Sequence, residues 1–195
     1  MGCPVDQMLE VEAEVRVPIA TAQLVHLHVS DPLDIVMFDR DSYWLEMCLT
    51  PRPRTARACY SDHWSTQRFE RIGNVYILPP GETIHTRSDG GNSHASVLCH
   101  LRPEPMRKWF DDDLRWNDRQ LEASLDIADI NTRNLLLRLA DEIRHPGFAS
   151  EMLIELIAAQ LAIELSRYLF HLENDHVTGK LASWRLQSLM SDCEM

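Results

Sequence analysis

The sequence lacks any apolar run near the eighteen residues that a membrane-spanning helix needs. Its first residues, MGCPVDQMLEVEAEV, lack the basic patch and apolar stretch of a secretory leader. Cysteine is sparse. The five present (Cys3, Cys48, Cys59, Cys99 and Cys193) have no CxxC spacing, so neither a disulfide framework nor a zinc knuckle is expected. Such cysteines suit a reducing compartment, and the expectation is a soluble cytoplasmic protein with no membrane contact. Positive charge is also short. Nineteen basic against thirty acidic side chains leave a formal charge of −11, which repels a phosphate backbone. Catalytic signatures are missing as well. There is no GxSxG elbow, and Gly90-Gly91-Asn92 reads as a hairpin turn rather than a phosphate-binding loop. No catalytic residue or cofactor is therefore assigned.

What is present divides into two halves. Short β-branched and aromatic runs occupy 24–29 (LVHLHV), 34–39, 43–49 (YWLEMCL), 56–60, 75–78 and 96–101. Between them stand Asp31-Pro32, Pro51-Arg52-Pro53, Gly73-Asn74 and Pro79-Pro80-Gly81, which break strands. Six or more short strands at this spacing suit a barrel or jelly roll better than a parallel βαβ sheet. Residues 1–20 are mixed and acidic, and read as a loose lead-in.

A helical period follows Arg102-Pro103-Glu104-Pro105. Leu135, Leu136, Leu139, Ala140 and Ile143 recur at three- and four-residue steps, with Asn131 or Thr132 as cap and His145-Pro146-Gly147 as stop. Ser150 is placed to cap a second helix over about 151–173. That helix carries two apolar stripes. One is Met152, Leu156, Ala159, Ile163 and Phe170; the other contains Leu153, Ile157, Leu161, Leu165, Tyr168 and Leu172. A helix lying on a sheet needs one stripe. Two fit either a helix buried within its own domain or one that gives its first stripe to a partner subunit.

The candidate ligand-contacting residues are His26, His28, Trp44, Glu46, His85 and His100. Alternation puts His26 with His28 on one face of a strand, and Trp44 with Glu46 and Cys48 on one face of another. His94 and His100 likewise share a face. A barrel could gather these into a largely apolar cavity with a few polar groups. Histidine with carboxylate is also a metal-ligand set. The cupin metal pattern fails here in both halves, since no glutamate follows His26-Leu27-His28 closely and His85 falls one residue late after Pro79-Pro80-Gly81. No metal ligand is assigned. Arg52, Arg54 and Arg57 read as a solvated basic loop.

Three segments in order, GNVYILPPGETIHTRSDGG (73–91), NTRNLLLRLADEIRHPGFASEMLIELIAAQLAIELSRYL (131–169) and TGKLASWRLQSLM (178–190), give the chain a family likeness. It resembles the N-terminal sensor and dimerisation region of AraC/XylS-type transcriptional regulators over about residues 24–190. The third segment resembles the Gly-Leu-Ala-Pro-Trp-Arg-Leu stretch leading into the family's DNA-binding domain, with Ser183 where proline is usual. The resemblance implies an α+β chain: a cupin-like antiparallel β-barrel or jelly roll over 1–105, then an amphipathic helical pair over 106–175. Residues 176–195 would be a linker and the start of a DNA-binding domain. It implies a homodimer, an unknown small-molecule effector, and DNA contact only through a helix-turn-helix region of about a hundred further residues that this sequence does not contain. A metal-dependent cupin enzyme and a ligand-free dimerisation module are the alternative readings.

Overall fold

The computed structural model describes residues 9–29, 31–89, 92–104 and 116–191, with side chains of the last helix described through Leu172. Nine strands form two antiparallel sheets. Their ranges are β1 (Leu9–Val17), β2 (Ala20–Val29), β3 (Leu33–Phe38), β4 (Tyr43–Cys48), β5 (Arg57–Tyr60), β6 (Glu70–Arg71), β7 (Val75–Leu78), β8 (Thr83–Ser88) and β9 (Asn92–Leu101). One sheet has the order β1-β2-β9-β4-β7 and the other β3-β8-β5-β6. Among the described residues three helices with both ends defined follow: α1 (Asp118–Ser124), α2 (Ile130–Arg144) and α3 (Ser150–Ser191). This is the α+β, cupin-like arrangement expected, with the helices laid on one sheet of the barrel.

The five-stranded sheet is apolar on both sides, and each side has a different partner. Its outer face presents Leu24, Leu45, Met47, Ile77, Val97 and Leu101, which form one continuous core with Leu136 and Leu139 of α2 and Ile157, Leu161 and Leu165 of α3. Its inner face turns toward the second sheet, where Tyr60, Tyr76, Leu78 and Ile84 pack with Leu121 and Leu125 of α1. That short helix stoppers one end of the barrel. An Asn117–Gln120 capping box starts it, and the Tyr60 and Ser124 hydroxyls bond at 2.7 Å.

Several expectations need correction. All six expected runs are strands, but the lead-in at 1–20 contains β1. Leu9-Glu-Val-Glu-Ala-Glu-Val-Arg-Val17 alternates apolar and charged residues in the period of an edge strand. A bulge between Val11 and Ala13 then reverses its faces. Leu9 thus lines the interior while Ala13 and Val15 pack toward the helices. Strand β8 was also unforeseen. It pairs with β3 and β5, whereas β9 pairs with β2 and β4, so the two strands lie in different sheets; the turn expected at Gly90-Gly91 lies outside the described residues.

The helices depart from expectation at their ends. Asp129, not Asn131 or Thr132, caps α2, its carboxylate accepting from the Thr132 amide at 2.6 Å. Asn131 and Thr132 lie inside the helix already. Ser150 is the first residue of α3 rather than its cap. Its hydroxyl accepts from the Gly147 amide at 2.6 Å and donates to Glu142. Ala149, just before it, holds a left-handed φ of 60°. The stop expected near residue 173 is absent and α3 continues to Ser191. No proline lies between Ser150 and Ser191, and the lone Gly179 costs a helix only about 1 kcal/mol. The linker and reader start expected at 176–195 therefore fall on helical backbone as far as Ser191. Among the described residues, no helix is long and apolar enough to cross a membrane.

Gly73 fastens the helical layer to the barrel. Its N–H donates to Leu125 O at 2.8 Å, and Ile127 N–H donates to Val75 O at 2.9 Å. At this separation a Cβ on residue 73 would fall 1.7 Å from Asp126 Oδ1 and 2.7 Å from Asp126 Cβ. Gly73→Ala should accordingly destabilise the fold by about 1–3 kcal/mol, read as a lowered urea midpoint at unchanged slope.

Candidate functional site

Between the two sheets lies a cavity of about 70 Å³. Most of its wall is aliphatic, from Val25, Leu27, Ile35, Met37 and Leu98, and one side is polar: Trp44, Glu46, Arg52, Tyr76 and His94. Strand parity sets this division. On β4 the odd residues Tyr43, Leu45 and Met47 face the helices, so Trp44, Glu46 and Cys48 must face inward. On β9, Val97, Cys99 and Leu101 do the same, which turns His94, Ser96, Leu98 and His100 inside.

Glu46 is the centre of the polar side, at 8% exposure. Arg52 Nη2 donates to its Oε1 at 2.7 Å and Ser96 Oγ donates to the same oxygen at 3.0 Å. Tyr76 Oη donates to Oε2 at 2.8 Å, and the Cys48 thiol lies 3.7 Å from Oε1. Burial alone would raise this carboxyl's pKa. The Arg52 charge, with the Tyr76 and Ser96 hydrogen bonds, outweighs burial and holds it below its ordinary 4.5. Burial and the nearby Glu46 push the Cys48 thiol up to about 12, so it stays protonated. The Arg52 guanidinium also lies over the Tyr76 ring, 5.0 Å from its centroid.

The candidate residues divide on placement. Trp44 and Glu46 are in the cavity. His100 is on the same inner face beyond Trp44, with ring centroids 4.7 Å apart and its Nδ1 3.7 Å from Asp39. The other three histidines are not in the lumen. His26 and His28 project from the outer side of the five-stranded sheet, where they meet Glu12 at 3.1 Å and Glu10 at 3.6 Å. Their strand's inner positions are Val25 and Leu27. His85 lies outside the second sheet, against Asp34 and the edge of Phe69.

Arg52 and His94 were missed. Arg52 is not in a solvated loop with Arg54 and Arg57; its side chain, 12% exposed, folds back onto Glu46. The available signal was Glu46 itself, because an inward carboxylate between Trp44 and Cys48 requires a cation close by. His94 was legible only as a face-mate of His100. It is buried, and neither of its ring nitrogens has a partner among the described residues. The same holds for Trp44 Nε1 and Arg52 Nε.

Glu46, Cys48 and His94 offer ligand atoms within 4.8 Å of one another. As a metal centre the set does not fit. Arg52, Ser96, Tyr76 and Cys48 already surround the carboxylate oxygens, and a guanidinium 2.7 Å from the carboxylate would stand beside the metal's charge.

No protein-family model matches the chain, and neither does any curated protein. Among solved structures it is similar to the cupin domain of Cnp3 from Schizosaccharomyces pombe, at 14% identity over 52% of this chain and 70% of that one, with a TM-score of 0.38. It is similar also to a cupin domain from Bordetella pertussis Tohama I, at 8% identity over 52% and 98% with a TM-score of 0.35. A third is the DMSP lyase DddQ from Ruegeria pomeroyi, at 11% identity over 52% and 50% with a TM-score of 0.37. Likeness at this level assigns no activity to the chain.

The ion pair makes a stability prediction. Removing one partner leaves a buried charge alone, so Glu46→Gln should destabilise by about 3–5 kcal/mol at neutral pH. Because folding lowers the Glu46 pKa, the pair's contribution is complete above the ordinary 4.5 and is lost as pH falls through the lowered folded value. The stability gap between wild type and Glu46→Gln, measured by urea unfolding, should thus be constant near neutral pH and shrink as pH falls below 4.5.

Proposed function

We propose that the chain is a small-molecule-sensing and self-associating module of the AraC regulator kind, acting without catalysis. A DNA reader on the same polypeptide would receive the signal. The observation that carries this reading is the double duty of one sheet. Its inner face walls the cavity and its outer face carries α2 and α3. On the far side of α3, Met152, Leu156 and Phe170 are 66, 62 and 61% exposed, with Ala159 and Ile163 half-buried between them. The second stripe is spent on the barrel: Ile157, Leu161 and Leu165 are buried there. A lone soluble chain rarely exposes such a row of apolar side chains, and the occupant it suits is the same row on a second copy.

A ligand in the cavity would act by preferring one setting of the sheet, and so of α3, over another. It can shift the arrangement only as far as its affinities for the two settings differ. The overall charge of −11 repels DNA and favours reading through a separate region. A metal-dependent enzyme finds no such support, because the inward carboxylate is already held by the Arg52 guanidinium and by Tyr76 and Ser96.

Sedimentation at micromolar concentration should give a dimer. Met152→Glu combined with Leu156→Glu should give a folded monomer with an unchanged circular dichroism spectrum, since both side chains are outside the core, and one whose melting temperature no longer rises with protein concentration. A wild-type monomer would contradict self-association. Thermal shift against a library of small metabolites should yield at least one compound whose stabilisation rises with the logarithm of its concentration. Dimerisation with no such compound would favour the ligand-free module.

A further inference from the structure

The polar side of the cavity specifies the kind of head group it would take, an inference that rests on the sensing reading above. A carboxylate has about four lone-pair positions. Oε1 of Glu46 is met by Arg52, Ser96 and the Cys48 thiol and Oε2 by Tyr76, so Glu46 has one position on Oε2 at most to offer an incoming molecule. The groups still without a partner among the described residues are Trp44 Nε1, Arg52 Nε and the two nitrogens of His94. The first two are donors only. The neutral imidazole supplies one donor and one acceptor. Three donors therefore remain, against the His94 acceptor and the one open position on Glu46 Oε2, on the wall of an otherwise aliphatic space, and His94 is only 7% exposed. Leaving such groups buried and unmet costs about 1–3 kcal/mol each, which an occupant could relieve.

We propose that the cavity binds a small amphipathic molecule head first, with an oxygen-acceptor head (a carboxylate or ketone) at Trp44, Arg52 and His94 and an aliphatic body against Val25, Leu27 and Leu98. A cationic amine head is refused, because it brings donors to donors beside the Arg52 guanidinium. The enclosed volume of about 70 Å³ is roughly half the ~150 Å³ that holds a benzene, which limits the buried part to a few non-hydrogen atoms. Charge balance separates the two heads. Glu46 and Arg52 already cancel, so a ketone enters without change, whereas a carboxylate is neutralised when His94 takes up a proton. Glu46 and Arg52 are the charged groups facing His94 across the cavity, and they oppose each other in their effect on it.

The test is a ¹H–¹⁵N spectrum of the whole chain titrated with butanoate, 2-butanone and butylamine, and with their six-carbon homologues. Trp44→Phe identifies the Trp44 indole signal. The expected result is a saturable shift of that signal with the acid, the ketone or both, and none with the amines. Trp44→Phe and His94→Leu, each checked for an unchanged melting temperature, should then weaken binding by roughly five- to ten-fold, the effect of one lost hydrogen bond. Carboxylate binding that strengthens as pH falls, beside ketone binding that does not, would identify proton uptake at His94. Amines binding as well as acids would overturn the head-group assignment while leaving a ligand cavity in place. Binding by none of the six also overturns it, and the sensing reading falls with it only if the metabolite screen is blank too.

Discussion

Opposite charges set inside an aliphatic barrel, Glu46 and Arg52, constrain everything around them. A carboxylate in such a place is tolerable only if its oxygens are met and its charge is balanced. Arg52 meets it from the Pro51-Arg52-Pro53 loop, Tyr76 from β7 and Ser96 from β9. One side chain on β4 thereby fixes a loop and two neighbouring strands. Because the carboxylate is held by four donors, most of the remaining polar capacity of the cavity belongs to the donors around it. The ion pair thus decides both how the barrel is held and what its interior can receive.

The five-stranded sheet then places the interior one layer away from α2 and α3. Every strand between cavity and helices contributes alternate residues to each: Glu46 inward beside Leu45 and Met47 outward, and Ser96 inward beside Val97 outward. Packing of this density transmits a displacement and does not absorb it. The bulge in β1 serves the same partition by letting one edge strand face the cavity at Leu9 and the helices at Val15.

The fold was largely legible because period-two and helical patterns are local. Six strand runs and the α2 pattern followed from residue type and punctuation. What was lost needed non-local information. β1 alternates clearly, but its glutamates and its position at a sheet edge gave it the look of a tail. Only the pairing partners of β8 and β9 reveal that these two consecutive strands belong to different sheets. At the site, alternation put Trp44, Glu46 and Cys48 on one face of β4, and packing of Tyr43, Leu45 and Met47 on the helices makes it the inner one. Alternation could say that His26 and His28 share a face, but not which face, and they took the outer one. Arg52 was hidden by composition, since a cation between prolines reads as solvent-facing until its carboxylate is identified.

The central claim is that the cavity and the exposed face of α3 are coupled through this sheet. Coupling of this kind is reciprocal: a ligand that changes self-association must bind monomer and dimer with different affinities. The most direct measurement is the dimer dissociation constant by sedimentation, with and without saturating amounts of whichever probe binds the cavity. The account predicts a change of several-fold or more, which for Trp44→Phe requires a proportionately higher ligand concentration. An unchanged constant with the cavity demonstrably filled would contradict it.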